Sequence, residues 1–183
     1  MRQTPDLNEV MEECRGFPAQ FKSLHLATCN ATGEPEASYA PYIEHEGCYY
    51  VYTSELSAHT ANLTASGRCA VLFIESEAQT KHVFARRRLT LQCTATECPR
   101  SAPQFEPLMD LFVEKFGNFM EMLRTLADFH LYQLRPHSGG YVAGFARAYT
   151  LEGVGLRTIK HRTEQGHRSP DKATAAAMDA VAQ

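Results

Sequence analysis

Residues 23–52 read SLHLATCNATGEPEASYAPYIEHEGCYYVY, and this stretch decides which fold the sequence predicts. Its first seven residues alternate apolar and polar side chains, which is typical of a strand with one buried face. Turn-forming residues follow at 30–35, and a second turn at 44–47 separates the next two strand-like runs. Both connections are too short for a crossover between parallel strands. The stretch therefore predicts a three-stranded antiparallel meander.

The remaining sequence predicts more strands and flanking helices around this meander. Phe, Leu and Met recur at intervals of three and four residues from Pro103 to Leu123, which predicts one amphipathic helix. Beyond residue 158 the sequence becomes polar and loses its periodicity. We therefore predict a mainly β fold with flanking helices, with a small barrel over residues 1–158 and a C-terminal tail over 159–183. The other predicted segments are helices at 4–16 and 57–66, strands at 69–74, 83–96, 129–134 and 141–151, and a turn at 136–140.

Composition and charge exclude several classes of protein. The 183 residues are 44% hydrophobic and 21% charged, which is ordinary for a globular protein and argues against extended disorder. The formal net charge of −3 argues against nucleic acid as a partner. No apolar run approaches the roughly 20 residues that span a bilayer, and residues 1–20 show no signal-peptide pattern. Six scattered cysteines without a C-x-x-C pair predict reduced thiols. The sequence therefore predicts a cytoplasmic protein without a membrane span.

Several longer strings resemble one family of split-barrel proteins. GEP at 33–35, leading into SYAPY at 38–42, is similar to the first strands of pyridoxamine-phosphate-oxidase-type split barrels. The resemblance runs from about Ala19 to His167, and the order of the strings makes it specific. The strings that resemble the HugZ/HutZ haem-utilisation branch are SELSAHTANL at 54–63, FIESE at 73–77, FARRRLT at 84–90 and GGYVAGFARAY at 139–149.

This resemblance implies a homodimeric split β-barrel, of the FMN-binding type, that binds haem near the subunit interface. It implies a haem oxygenase-like activity that releases iron and that draws electrons from an external donor or reductase. Three alternatives stay open at this point. The chain could be a haem carrier or store without enzymatic activity, an FMN-dependent oxidoreductase like the parent family, or a dimeric scaffold that binds neither ligand.

The resemblance also implies that a histidine of the C-terminal tail ligates the haem iron. The family's tail histidine matches His167 best, beside Gly166, and His161 is the alternative. Without the resemblance, both histidines would be interpreted as solvated residues of a polar chain end. Cys98, which precedes Pro99, is a rival ligand because a thiolate can also bind haem iron.

The run Arg86-Arg87-Arg88 has two interpretations. On a strand, Arg86 and Arg88 would share one face and Arg87 the other. A structural role would pair these arginines with Glu75 or Glu77. In the functional interpretation, the guanidinium groups hold a propionate or hydrogen-bond oxygen on the open side of the iron. The resemblance matches Arg88 to the family's distal arginine and leaves Arg86 as a cofactor-binding candidate, although a flavin phosphate would need similar cations.

Asp128 and His59 form a second pair of candidate residues. Asp128 precedes a predicted strand, where a turn role is the default, and His59 lies on a short predicted helix. In relatives, the residues at these positions influence the haem site, with contact across the dimer as one route. A carboxylate near a ligating histidine fixes its tautomer and raises its basicity. The resemblance therefore implies that Asp128 tunes the iron–histidine bond.

Overall fold

The computed structural model describes residues 6–162 as an eight-stranded antiparallel sheet with four helices. The strands are β1 (Ser23–Cys29), β2 (Pro35–His45), β3 (Cys48–Ser54), β4 (Arg68–Ile74), β5 (Arg88–Cys98), β6 (Phe129–Val142), β7 (Ala148–Glu152) and β8 (Thr158–His161). The helices are α1 (Leu7–Gly16), α2 (Ala58–Ser66), α3 (Phe105–Phe116) and α4 (Phe119–Leu123), with short 3-10 turns at Pro18–Gln20, Val83–Ala85 and Val154–Leu156. No helix within these residues is long and apolar enough to cross a membrane.

Six of the strands close into a barrel. The sheet order is β3-β2-β1-β4-β5-β6-β7-β8, and β3 also pairs with β6, from Tyr49↔Leu134 to Ser54↔Phe129. β7 and β8 continue the sheet beyond the barrel. The predicted meander is β1-β2-β3, so the prediction of a mainly β barrel with flanking helices is confirmed.

Strand β3 separates two hydrophobic cores. Its side chains alternate between the two sides of the sheet, with Tyr49 and Val51 inside the barrel and Tyr50 and Tyr52 packed against α3. Because both faces are covered, the strand is apolar throughout, as the sequence run CYYVY indicates. All six cysteines are free thiols and five of them are buried, which agrees with the prediction of reduced thiols.

The helices differ from the prediction in two places. The predicted helix from Pro103 to Leu123 is divided into α3 and α4 at Gly117, where φ is 81°. A backbone in this region cannot continue a right-handed helix, and glycine adopts it without steric cost. The first helix begins at Leu7, and the side chain of Asp6 caps it by accepting a hydrogen bond from the Asn8 amide.

β6 is one strand of 14 residues, and the turn predicted at 136–140 is not formed. Proline cannot donate a ladder hydrogen bond, which is why Pro136 suggested a break. The structure accommodates Pro136 at a bulge, where the register between β5 and β6 shifts between Gln92 and Cys93. The real turn lies at residues 143–147, between β6 and β7.

The boundary predicted after residue 158 falls inside the sheet. β8 begins at Thr158 and pairs with β7 through His161, so the first residues of the predicted tail belong to the sheet. This strand is short and lacks a strong alternation, so it cannot be predicted from the local pattern. The remainder of the predicted tail, 163–183, lies outside the described residues, and so does His167.

Candidate functional site

A cavity of about 490 Å³ lies on the outer face of β5, β6 and β7. Its volume is within the roughly 300–1,000 Å³ that small-molecule sites occupy. Its lining includes two guanidinium groups, the hydroxyls of two threonines and the backbone of two glycines. These groups belong to Arg88, Thr90, Gly139, Gly140, Thr150 and Arg162.

The cavity is polar because side chains alternate along each strand. On β5, Leu89 and Leu91 pack in the barrel core, so Arg88 and Thr90 project from the outer face. The same alternation on β7 directs Thr150 outward. The inward residues of these strands therefore hold the fold, while the outward ones form the site.

Gly140 on β6 keeps the floor of the cavity free of a side chain, whereas a side chain at Gly139 would point into the barrel core beside Leu91. A Cβ atom at Gly139 would lie 2.8 Å from the Thr90 carbonyl oxygen and 2.9 Å from Leu91 Cδ2. A Cβ at Gly140 would lie 2.9 Å from a terminal nitrogen of Arg162. Residue 139 must be glycine because a Cβ there would clash with a backbone carbonyl that cannot move aside. Gly140 leaves open the space that the Arg162 guanidinium occupies.

The sequence predicts a strand over residues 83–96 that the arginine run interrupts, and in the structure only Arg88 of this run lies on a strand. Val83–Ala85 form a 3-10 turn, and β5 begins only at Arg88. The alternation that would place Arg86 and Arg88 on one face therefore does not extend to Arg86. The reason is Glu75, because its backbone carbonyl accepts hydrogen bonds from the Arg86 guanidinium and its own amide donates to the Arg87 carbonyl.

Arg86 and Arg87 both have carboxylate partners. Arg86 pairs with Glu77 at 3.2 Å, and Arg87 pairs with Glu75 at 3.0 Å and with Glu13 at 3.6 Å. Burial is the largest single influence and lowers the pKa of Arg87, but the hydrogen bond that Arg87 donates to Glu75 and the nearby negative charges raise the pKa overall. These contacts match the structural interpretation of the run. The cofactor-binding role of Arg86 stays a prediction.

Arg88 and Arg162 differ from these two arginines in their hydrogen-bond partners. Arg88 donates to the Arg86 carbonyl at 3.1 Å, and Arg162 donates to the Thr150 hydroxyl at 2.9 Å. Within residues 6–162 neither arginine pairs with a carboxylate, and no Asp or Glu lines the cavity. Two fixed positive charges that face one cavity without an acid favour an anionic ligand.

His161 lies on the opposite face of the sheet from this cavity. It stands directly across from Tyr149 in the β7–β8 ladder, and the two rings make an edge-on contact with centroids 5.1 Å apart. Its Nε2 is 3.3 Å from the carbonyl oxygen of Ala146. The next residue, Arg162, turns outward toward Thr150. The structure therefore brings together Arg88 and Arg162 but does not add His161 to them.

Asp128 directly precedes β6 and lies beside Ser54, the last residue of β3. Its carboxylate accepts a hydrogen bond from the Ser54 hydroxyl at 3.1 Å, and its backbone carbonyl accepts one from the Glu55 amide at 2.8 Å. These bonds fix the turn that leads into β6. They also leave carboxylate lone pairs for a further donor.

His59 lies close to the same place, in the first turn of α2. It is only 8% exposed, and its Nδ1 is 3.0 Å from the Ser38 hydroxyl. Burial lowers the pKa of His59, so the ring is neutral near pH 7. The neighbouring Thr60 donates to the Ser54 carbonyl, which ties this turn to the residue that holds Asp128. His59 and Asp128 therefore form a second group around the end of β3.

The two groups of residues lie at opposite ends of the β5–β6 ladder. Arg88 pairs with Val142 at one end, and Cys98 pairs with Leu131 at the other, next to Asp128. Twelve residues separate Asp128 from Gly140, which is roughly 40 Å of fully extended strand. One protomer therefore does not assemble Arg88 and Asp128 into a single site.

Cys98, the rival thiolate ligand, is buried in the second core. It is 6% exposed and packs in the cluster that α3 covers. Burial raises the pKa of its thiol, which disfavours the thiolate that would bind iron. Cys98 therefore serves as a small hydrophobic side chain of the second core.

A larger cavity of about 820 Å³ opens on the inner side of β5, beside Leu89. It is mostly apolar, but Glu44 and Glu46 line it together with Arg15 and Arg135. Acids and bases are mixed there, so the cavity has no clear preference for an anion. Charge therefore favours the smaller outer cavity as the site for an anionic ligand.

An ionic cluster surrounds His130, and no sequence pattern predicts it. Its Nε2 is 2.8 Å from a carboxylate oxygen of Glu55, and its Nδ1 is 2.8 Å from one of Glu97. These residues come from the ends of β3, β5 and β6, so only the folded sheet brings them together. Both ring nitrogens face acceptors, and the hydrogen bonds to Glu55 and then Glu97 raise the pKa of His130.

We expect this cluster to make the stability of the protein depend on pH. The pKa of His130 is raised in the folded state. The stability that its ion pairs contribute is therefore complete below the ordinary histidine pKa of about 6.5, and it is lost as pH rises through the folded-state pKa. The glutamates are 61% and 43% exposed, so the expected loss in unfolding free energy is about 1 kcal/mol or less. Urea titrations at about pH 5.5 and about pH 8.5, on the wild type and on His130→Gln, measure it. An equal pH effect in both proteins would contradict this role.

Comparisons with known proteins place this chain among split-barrel proteins. The family model described as pyridoxamine 5'-phosphate oxidase matches residues 10–143. Heme oxygenase HutZ from Vibrio cholerae is 35% identical over 156 residues, which is 85% of this chain and 88% of HutZ.

Solved structures agree with this assignment. Campylobacter jejuni ChuZ superposes with a TM-score of 0.82 at 30% identity, over 92% of this chain and 68% of ChuZ. A crystal structure of Vibrio cholerae HutZ, described as a heme storage protein, gives a TM-score of 0.63 at 32% identity, over 72% of this chain and 89% of HutZ. The extent and identity of these matches, with the closed six-stranded barrel, confirm the family that the sequence strings resemble. The chain belongs to the HugZ/HutZ branch of the pyridoxamine 5'-phosphate oxidase split-barrel family.

Proposed function

We propose that this protein binds haem as its substrate in the outer cavity and degrades it in a haem oxygenase-like reaction that releases iron. The observation that carries the proposal is the pair Arg88 and Arg162, which face one cavity without a carboxylate in the described residues. Haem presents two propionates to such a site. The name of the relative HutZ, heme oxygenase, supports the same substrate.

The position of the cavity suits the proposed ligand His167. The chain leaves β8 at Arg162, and His167 follows five residues later. Five residues reach at most about 18 Å. His167 of the same protomer is therefore within reach of a porphyrin that lies over Gly139 and Gly140, whereas His161 faces the other side of the sheet.

The protein's contribution to the proposed reaction is binding, orientation and polarity. When bound, the iron porphyrin itself supplies the activation of dioxygen and the meso-carbon that is oxidised. His167 would hold the iron, and the Arg88 guanidinium would supply hydrogen-bond donors to the reacting groups. Electrons come from an external donor or reductase, because the reaction consumes dioxygen together with reducing equivalents.

We propose a homodimer because the two groups of candidate residues lie at opposite ends of one protomer. A second copy could bring its Asp128 and His59 to the first copy's cavity. There, Asp128 would accept a hydrogen bond from the Nδ1–H of His167 and fix its tautomer. His59 has a hydrogen bond to Ser38 through Nδ1, and the residues described here leave its Nε2 for a partner.

Two other functions use the same features. A haem storage protein would need the iron-binding histidine but not the hydrogen-bond donor Arg88. The description of HutZ as a heme storage protein supports this alternative. Binding of FMN would use the arginines for a phosphate, as the parent family's name suggests. We favour haem because Arg162 would bind a propionate while Arg88, in the same cavity, stays available to the reacting side of the ring.

Turnover of bound haem distinguishes these functions. The purified protein is titrated with haem, and ascorbate is then added in air with catalase present, because free peroxide destroys haem unspecifically. We expect a stoichiometric Soret band that bleaches while bilin absorbance and chelatable iron appear. A Soret band that persists under these conditions would indicate storage, and a protein without a Soret band but with bound flavin would reject the proposal.

A further inference from the structure

Arg162 is held in a defined place although it lies at the end of β8. Its amide donates to the Ala148 carbonyl at 2.8 Å, and its Nε donates to the Thr150 hydroxyl at 2.9 Å. One terminal nitrogen occupies the space where a side chain at residue 140 would begin. The two hydrogen bonds thus hold Arg162 in place, with its guanidinium over Gly140.

The terminal nitrogens of this guanidinium are available to a ligand. Nε is satisfied by Thr150, and within residues 6–162 neither terminal nitrogen has a hydrogen-bond acceptor. A guanidinium presents parallel N–H groups that match the two oxygens of a carboxylate. The other charged residue that lines the cavity, Arg88, is also a cation, so a carboxylate from the ligand would balance the local charge.

We propose that Arg162 binds a carboxylate of the porphyrin and thereby determines which ligands the cavity accepts. The proposal rests on the proposed function, since it assumes that haem is the ligand. Arg162 adds a specificity residue to the site and leaves Arg88 free for the reacting side.

Esterified haem tests the proposal directly. Haem dimethyl ester keeps the iron and the ring but carries no carboxylate. We expect the wild type to bind haem roughly tenfold more tightly than the ester, and Arg162→Ala to lose this preference and bind both with the weaker affinity. Absorbance titrations of both ligands with both proteins give the four dissociation constants.

Two further variants separate the ligand contact from general effects. Arg157→Ala removes the same charge from an exposed residue that does not line the cavity, and it should keep the tenfold preference. Gly140→Ala keeps the charge but places a methyl group where the guanidinium lies, and it should reduce the preference as Arg162→Ala does. Circular dichroism melts establish that each variant is folded.

The outcomes separate this proposal from the proposed function. Wild-type protein that does not bind haem would reject the proposed function, and this proposal with it. Wild type that binds haem while Arg162→Ala keeps the full preference for haem over the ester would reject the role of Arg162 alone. A parallel titration with FMN tests the alternative anion, a phosphate. If Arg162→Ala lost FMN binding but bound haem as the wild type does, the arginine would be assigned to a phosphate instead.

Discussion

Replacing His167 with alanine should abolish tight haem binding. In the proposed site, this residue is the iron ligand. Loss of a mere hydrogen-bond partner of a metal ligand costs roughly 10–100-fold in affinity, and loss of the ligand itself should exceed that. We therefore expect the dissociation constant of haem to rise by more than about 100-fold in His167→Ala. Absorbance titration of the Soret band measures the change, and the shift of the band reports the lost ligand.

His161→Ala is the matched control. Its ring contacts Tyr149 on the face of β8 turned away from the cavity, so its loss removes a packing contact and no iron ligand. Haem affinity should change by no more than about twofold, while thermal stability falls slightly. Equal losses in the two variants, or a larger loss in His161→Ala, would contradict the assignment of His167.

Replacing Arg88 should separate binding from turnover. The proposed role of Arg88 is to donate hydrogen bonds on the side of the porphyrin opposite His167. Removing one such donor typically costs about 100-fold in rate. Arg88→Ala should therefore bind haem nearly as well as the wild type but degrade it roughly 100-fold more slowly. Single-turnover decay of the Soret band with ascorbate and catalase measures the rate.

Arg68 offers a control that changes the charge alone. It lies at the exposed start of β4 and does not line the cavity, so Arg68→Ala should leave turnover unchanged. Arg88→Lys keeps the charge but loses the planar fork, and we expect it to recover little activity. Turnover in Arg88→Ala equal to that of the wild type would remove this residue from the reaction.

Much of the fold is encoded locally and could be predicted. The alternation in residues 23–52 and its two turns predict β1-β2-β3, since each connection is short and each turn has its own signal. The exceptions arise where distant residues decide the local structure. Glu75 draws Arg86 away from a strand, and the bulge beside Cys93 lets Pro136 stay within β6. Neither effect has a signal in the neighbouring sequence.

The candidate site could be predicted only in part. Arg88 could be predicted because it ends the arginine run and lies in a family string, His59 because it lies in another such string, and Asp128 because its position matches one in the family. Arg162 was missed because its position depends on the pairing of the short strand β8 with β7. His130 was missed because its glutamates come from the ends of other strands. The Gly139-Gly140 pair was the available sequence signal for the cavity, since adjacent glycines in a strand mark a close approach of other groups.

The central claim is that haem lies over β5, β6 and β7, between the two unpaired arginines. A crystal structure of the haem-loaded protein tests it most directly. The account predicts porphyrin over Gly139 and Gly140, a propionate on Arg162, Arg88 on the open side, and His167 on the iron. Haem in the inner cavity beside Leu89, or a propionate far from Arg162 and Arg88, would contradict the account.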